Sequence, residues 1–260
     1  MKFIISSLLL NLLLVGCAGP KIQLPPAPEA EVLLRSLARN NERWQQLDAA
    51  AKIALDQHGK YMSTQDFLLL EKPDRLRLDV LSLFNQLALQ LAVDQGELQV
   101  FLNTSAPGQY YRGPASDELL ARFTRVPLGV VDLVRLLLYD PPTQAYQTAA
   151  VEVSDDRYLL RLTNGDRQQQ FFFDRQLQLR RGIYLSLNEP FLIVNYDKQN
   201  PADGFPRRIQ IEMPKQETSL TVTLSEVRLN VPAKAGRFQL SFPANATPLE
   251  LPGLNTKGEG

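Results

Sequence analysis

Between Arg75 and Val93 the chain alternates twice. Leu76, Leu78 and Val80 fall on one side of an extended backbone, with Arg75, Arg77 and Asp79 on the other. After a break, Leu87, Leu89, Leu91 and Val93 share a face. Successive side chains of a strand point to opposite faces. This period of two therefore predicts two half-buried strands paired as an antiparallel hairpin. The connection between them is unusual. Hairpin loops are ordinarily polar or glycine-rich, whereas 81–86 reads Leu-Ser-Leu-Phe-Asn-Gln and sets Leu81, Leu83 and Phe84 at or near the tip. Apolar side chains there need cover from the rest of the protein, from a partner or from a membrane.

Similar stretches recur on both sides. Strands are expected at about 48–56, 61–71 and 97–103, and a further series runs from 147 to 230. Turn signals such as Asn164-Gly165-Asp166 and Asn188-Glu189-Pro190 separate them. Strands at this spacing form a meander in which sequence neighbours pair. Three segments read as helical instead. In 29–47, Val32, Leu33, Leu37, Trp44 and Leu47 are spaced to one broad face. Ser116 is placed to cap a short helix reaching Phe123. Val130–Tyr139 is apolar nearly all round and is stopped by Asp140-Pro141-Pro142, so it lies between two apolar surfaces.

About eleven antiparallel strands in one sheet must curl, and the concave face has to be filled. The expected architecture is mainly β with a few α-helices. It is a single curved antiparallel sheet, an open half-barrel, with the Val130–Tyr139 helix as a lid over an apolar cavity. The sheet would line that cavity with Phe67, Leu69, Leu76, Leu78, Val80, Leu87, Leu89 and Leu91, and the lid with Leu133, Leu136 and Leu137. For each residue alone, ordinary core packing is the competing reading.

The first residues read as a targeting signal. Lys2 precedes the apolar run Phe3–Leu14, which is too short to span a bilayer. Leu14-Val15-Gly16-Cys17 follows, and it resembles the lipobox of bacterial lipoproteins. The resemblance implies a signal peptide over 1–16 and lipid attachment at Cys17. The chain would continue as a proline-containing tether (17–28), a folded domain (29–243) and a loose tail (244–260). Ala18 stands where an aspartate marks inner-membrane retention. That implies anchoring in the outer membrane of a Gram-negative cell, facing the periplasm. Cys17 is the sole cysteine, so no intrachain disulfide forms.

Two stretches resemble the LolA/LolB-like lipoproteins, and the outer-membrane receptor branch of that family in particular. One runs from Arg75-Leu76-Arg77-Leu78 through the apolar loop into Leu87-Ala88-Leu89-Gln90-Leu91. The other is Phe123-Thr124-Arg125-Val126-Pro127-Leu128-Gly129-Val130, continuing to Pro141. The family carries Asn-Pro-Leu-Gly where this chain has Ser82-Leu83-Phe84-Asn85, which sets Phe84 on the family's exposed leucine. Arg125 and Tyr139 replace family glycines, and Leu136 replaces a common tryptophan. The resemblance implies a receptor that binds the acyl chains of lipoproteins and inserts them into the outer membrane. Its loop 81–84 would touch the membrane, and a periplasmic LolA-like carrier would deliver the ligand. The alternative it allows is a lipid-binding or envelope-assembly lipoprotein of the same fold without transfer activity.

The remaining composition points away from catalysis. Lys plus Arg and Asp plus Glu number 28 each, so no global field draws nucleic acid. His58 is the sole histidine and sits in a Gln-His-Gly-Lys turn, so no common zinc constellation is available. Neither a Gly-x-Ser-x-Gly elbow nor a phosphate-cradling glycine loop occurs. The chain is expected to be a monomeric binding protein without cofactor, metal or catalytic residues.

Overall fold

A computed structural model describes residues 24–82, 84–154 and 156–249. Helix α1 (Ala30–Arg43) leads into strands β1 (Gln46–Gln57), β2 (Lys60–Glu71), β3 (Arg75–Leu81), β4 (Leu87–Asp94), β5 (Glu97–Leu102) and β6 (Gln109–Pro114). Helices α2 (Asp117–Thr124) and α3 (Val130–Leu137) follow. The chain then returns to strands: β7 (Thr148–Ser154), β8 (Arg157–Asn164), β9 (Arg167–Phe173), β10 (Leu179–Ser186), β11 (Glu189–Gln199), β12 (Pro206–Met213) and β13 (Thr218–Leu229). A two-residue β14 (Thr247–Pro248) completes the sheet.

All strands belong to one 14-stranded sheet, ordered β14-β6-β5-β4-β3-β2-β1-β13-β12-β11-β10-β9-β8-β7. Apart from β14, each half is a meander of sequence neighbours, and the antiparallel β1–β13 pair joins the halves. The order ends at β7 on one side and β14 on the other, so the sheet stays open. The mainly β, open-sheet expectation holds, with more strands than the eleven or so anticipated. β6 and β14 are the additions: Gln109-Tyr-Tyr-Arg-Gly-Pro114 has no alternation of apolar and polar residues. Thr247 and Pro248 run parallel to Gln109 and Tyr110, inside the stretch expected to be a loose tail. The first helix stops at Arg43 rather than Leu47. Leu47 instead pairs with Leu229 and Leu70 in the sheet.

The concave face carries the core. Leu68, Leu78, Leu91 and Val100 lie opposite one another across β2–β5, as do Leu70, Leu76, Val93 and Leu98. The second half contributes Tyr158, Leu160, Phe171, Phe173, Tyr184, Val194 and Tyr196, all buried. Over this second half lies α1, with Leu33 and Leu37 buried. Its Ser36 hydroxyl donates to the Leu177 carbonyl, and Trp44 meets Phe205 edge-on. Over the first half lie α2 and α3. The Ser116 side chain caps α2 by accepting from the Leu119 amide, as its position in the sequence suggests.

The convex face of β2–β6 is covered as well. Residues 237–242 run across it: the Arg77 guanidinium donates to the Arg237 carbonyl, the Leu240 amide donates to Gln99, and Phe242 stacks on Tyr110. Phe238 is buried there under the Arg75 guanidinium.

Candidate functional site

Between the first half of the sheet and α2–α3 lies an apolar cavity of about 190 Å³. Its floor is Ile53 and Leu55 of β1, Leu68 of β2, Leu76, Leu78 and Val80 of β3, Leu89 and Leu91 of β4, and Leu220 and Val222 of β13. Phe123, Val126, Leu133 and Leu137 form its roof. Met62 also lines it while 44% exposed, which sets the mouth at the end of the sheet where β1 turns into β2.

The segment that follows the lid is pinned to the second half of the sheet by tyrosines. The Tyr139 hydroxyl donates to the Leu179 carbonyl, Tyr184 to Pro142 and Tyr196 to Leu136. Burial pushes the Tyr139 phenol up to about 12 and raises Tyr184 and Tyr196 well above their ordinary value, so all three remain neutral donors. Asp140, just after the lid, accepts from Arg135 and pairs with Lys72 at 2.9 Å. This ties the end of the lid to the start of the β2–β3 turn.

One lining residue does not fit the apolar character of the rest. Asp66, on β2, is 3% exposed. Its Oδ2 accepts from the Thr64 hydroxyl at 2.9 Å. Its Oδ1 has no hydrogen-bond partner among the described residues. Burial raises this carboxyl to about 6, with the Thr64 hydroxyl and the Ile53 amide opposing.

Of the residues expected to line the cavity, Leu76, Leu78, Val80, Leu89, Leu91, Leu133 and Leu137 do so. Four do not. Phe67 and Leu69 belong to the opposite parity of β2: Asp66 and Leu68 face inward, and Phe67 is 52% exposed on the outside. Leu87 pairs with Leu81 beyond an extra residue, Ala88, and this bulge takes it out of the lining row. Leu136 is fully buried but absent from the cavity wall. Met62, Asp66, Leu68 and the β1 and β13 residues were missed. The β1–β13 pairing that brings them together joins segments more than 150 residues apart, and no local pattern announces it.

Among the described residues, none covers Phe84 at the hairpin tip. Phe84 is 85% exposed, while Leu81 is half-buried. The Ser82 amide donates to the Gln86 carbonyl and the Asn85 amide to the Ser82 carbonyl. The exposed Tyr61, Met62 and Leu187 lie at the same end of the sheet as Phe84. His58 occupies the β1–β2 turn, with its amide donating to the Glu217 carbonyl. Cys17 and Leu83 lie outside the described residues. Among the described residues no group of three His, Cys, Asp or Glu could hold a metal, and no helix is long and apolar enough to cross a membrane.

No protein-family model and no curated protein matches the sequence. Solved structures do. A DUF1329 family protein from Desulfovibrio piger aligns over 81% of this chain and 97% of its own, with a TM-score of 0.56 and 16% identity. A LolA superfamily protein from Nitrosomonas europaea aligns over 80% of this chain and 96% of its own, with a TM-score of 0.51 and 15% identity. The chain shares its fold with these two proteins. At these identities the likeness is one of fold. The three positions that the sequence resemblance sets against glycines share one property. Asn85, Arg125 and Tyr139 all adopt left-handed backbone, with φ of 57°, 59° and 59°, the region that glycine enters without steric cost.

Proposed function

We propose that this protein is an outer-membrane lipoprotein that receives the acyl chains of other lipoproteins in its cavity and inserts them into the outer membrane. The observation that carries this reading is the pairing of a lidded apolar cavity with an uncovered phenylalanine at the same end of the sheet. Phe84 and the mouth residue Met62 are both exposed there. Lipid attachment at Cys17, after a signal peptide over 1–16 and before a tether over 17–28, would hold the domain at the membrane. Phe84 would then touch it, and acyl chains would leave the mouth without crossing water.

Burying each methylene contributes about 0.8 kcal/mol, enough for a cavity of aliphatic side chains to compete with a bilayer for part of a chain. At about 190 Å³ the cavity is smaller than the roughly 300–1,000 Å³ of ordinary ligand sites. It takes a segment of one chain as it stands, and full uptake requires α2 and α3 to lift. The sequence carries no nucleotide-binding loop, so direction would come from affinity: weaker on a periplasmic LolA-like carrier, stronger here, strongest in the membrane.

Phe84→Glu tests this reading. It should leave the fold and acyl-chain binding intact and abolish delivery of a lipoprotein into liposomes. Undiminished delivery would overturn it. If the same fold serves instead as a lipid-binding or assembly module, photo-cross-linking from position 84 will capture protein rather than phospholipid.

A further inference from the structure

Asp66 breaks the pattern of the cavity it lines. The other lining side chains are aliphatic or aromatic, apart from the hydroxyls of Thr64 and Thr124 and the thioether of Met62. Among the described residues, no other ionisable group lines it. An unpaired carboxylate oxygen in such a place costs more than a paired one, because nothing replaces the water it gave up. Structural packing does not call for it. In the register of β2, position 66 lies between Ala51 on β1 and Val80 on β3, and a leucine there would continue the apolar row. The Thr64 hydroxyl occupies Oδ2 and fixes the carboxyl, leaving Oδ1 as the acceptor without a partner. Asp66 also lies four residues along β2 from Met62 at the mouth, about 13 Å at the rise of a strand. Leu68, Leu76 and Leu91 continue the wall beyond it.

We propose that Asp66 is the polar recognition point of the cavity, selecting aliphatic ligands that carry a hydrogen-bond donor where the chain meets its headgroup. A hydroxyl, an amide N–H or an ammonium meets this requirement. The donor engages Oδ1 while the hydrocarbon lies among the leucines. A carboxylate headgroup is disfavoured there by like charge, and an ether offers only acceptors. This rests on the reading of the cavity as an acyl-chain site and adds to it a chemical preference.

The test uses the full-length protein in nanodiscs and four probes built on a ten-carbon chain, titrated by calorimetry: decylammonium, decanol, decyl methyl ether and decanoate. Partition into the bilayer is common to all protein variants, so differences between variants report the cavity. The wild type should bind decylammonium and decanol about tenfold more tightly than the ether and decanoate, the size expected for one hydrogen bond to a charged acceptor. Asp66→Leu should bring the four affinities within about threefold of one another while chain binding persists. Asp66→Asn should keep the preference for decanol and lose that for decylammonium, and it covers the case in which the leucine variant does not fold. Binding that ignores the headgroup, or a ranking that survives Asp66→Leu, would overturn the role of Asp66 and leave the cavity reading standing. Failure of every probe to bind would remove both.

Discussion

At the scale of single residues, Asp66 sets a measurable pH dependence. Its carboxyl titrates at about 6 in the folded protein against an ordinary 3.8, so the fold holds the proton more tightly than the unfolded chain does. The associated stability is fully present below pH 3.8, is lost as pH rises through 6, and is absent above that. A shift of this size corresponds to about 3 kcal/mol. Asp66→Asn removes the titration. The stability of the variant relative to wild type should therefore rise between pH 4 and pH 8 by about 1–3 kcal/mol, read from urea midpoints. A difference that does not change with pH would refute the assignment. Tyr139 shows the opposite bargain. Its left-handed backbone is strained for a residue with a Cβ. Its ring packs against Tyr196 and Phe205, and its hydroxyl reaches the Leu179 carbonyl. These contacts explain how a tyrosine holds a backbone conformation that glycine would adopt free of strain.

At the scale of elements, the join between the lid and the sheet depends on Asp140. Its side chain is 5% exposed, and it receives both Lys72 and Arg135. Asp140→Ala would leave two cations facing each other with little access to water, at a cost of about 3–5 kcal/mol. Adding Lys72→Met should recover part of that loss, and a double-mutant cycle by chemical denaturation measures the coupling. Additive losses would show that the three side chains do not act together. The elements differ in how plainly the sequence announced them. β3 was legible to the residue because arginine and aspartate alternate with leucine and valine. The run Phe67-Leu68-Leu69-Leu70 in β2 gave no parity to read. Its outer face is apolar too, with Leu69 buried and Phe67 52% exposed there, so Phe67 and Leu69 were placed on the wrong side. α3 presents a related difficulty: with Asp132 and Arg135 as its charged residues, the remaining apolar positions do not reveal that Leu133 and Leu137 meet the cavity while Leu136 does not. The exposed loop was legible because Phe84 breaks a rule of loop composition. Asp66 was passed over because one aspartate among polar neighbours in 63–66 looks like any solvated strand residue.

At the scale of the whole molecule, the sheet separates two apolar layers with different tasks. The inner layer holds the cavity. The outer one, where Leu69 and Ala92 are buried and Phe238 is inserted, fastens the C-terminal segment. Phe238→Ala should lower stability by about 3 kcal/mol and leave binding of aliphatic probes unchanged, since the sheet lies between position 238 and the cavity. Thermal denaturation and probe titration on the same variant check both halves of this expectation. A loss of probe binding in a folded variant would mean that the two layers are coupled through the sheet.

The open edges of the sheet have a consequence for capacity. A closed barrel has its bore set by strand number and shear, and no side-chain motion enlarges it. Here the strand order terminates at β7 and β14 without meeting. The radius of the trough can therefore change by a small rotation at each strand-to-strand junction, with every ladder hydrogen bond kept. Strand number and shear therefore do not by themselves fix the capacity of this sheet.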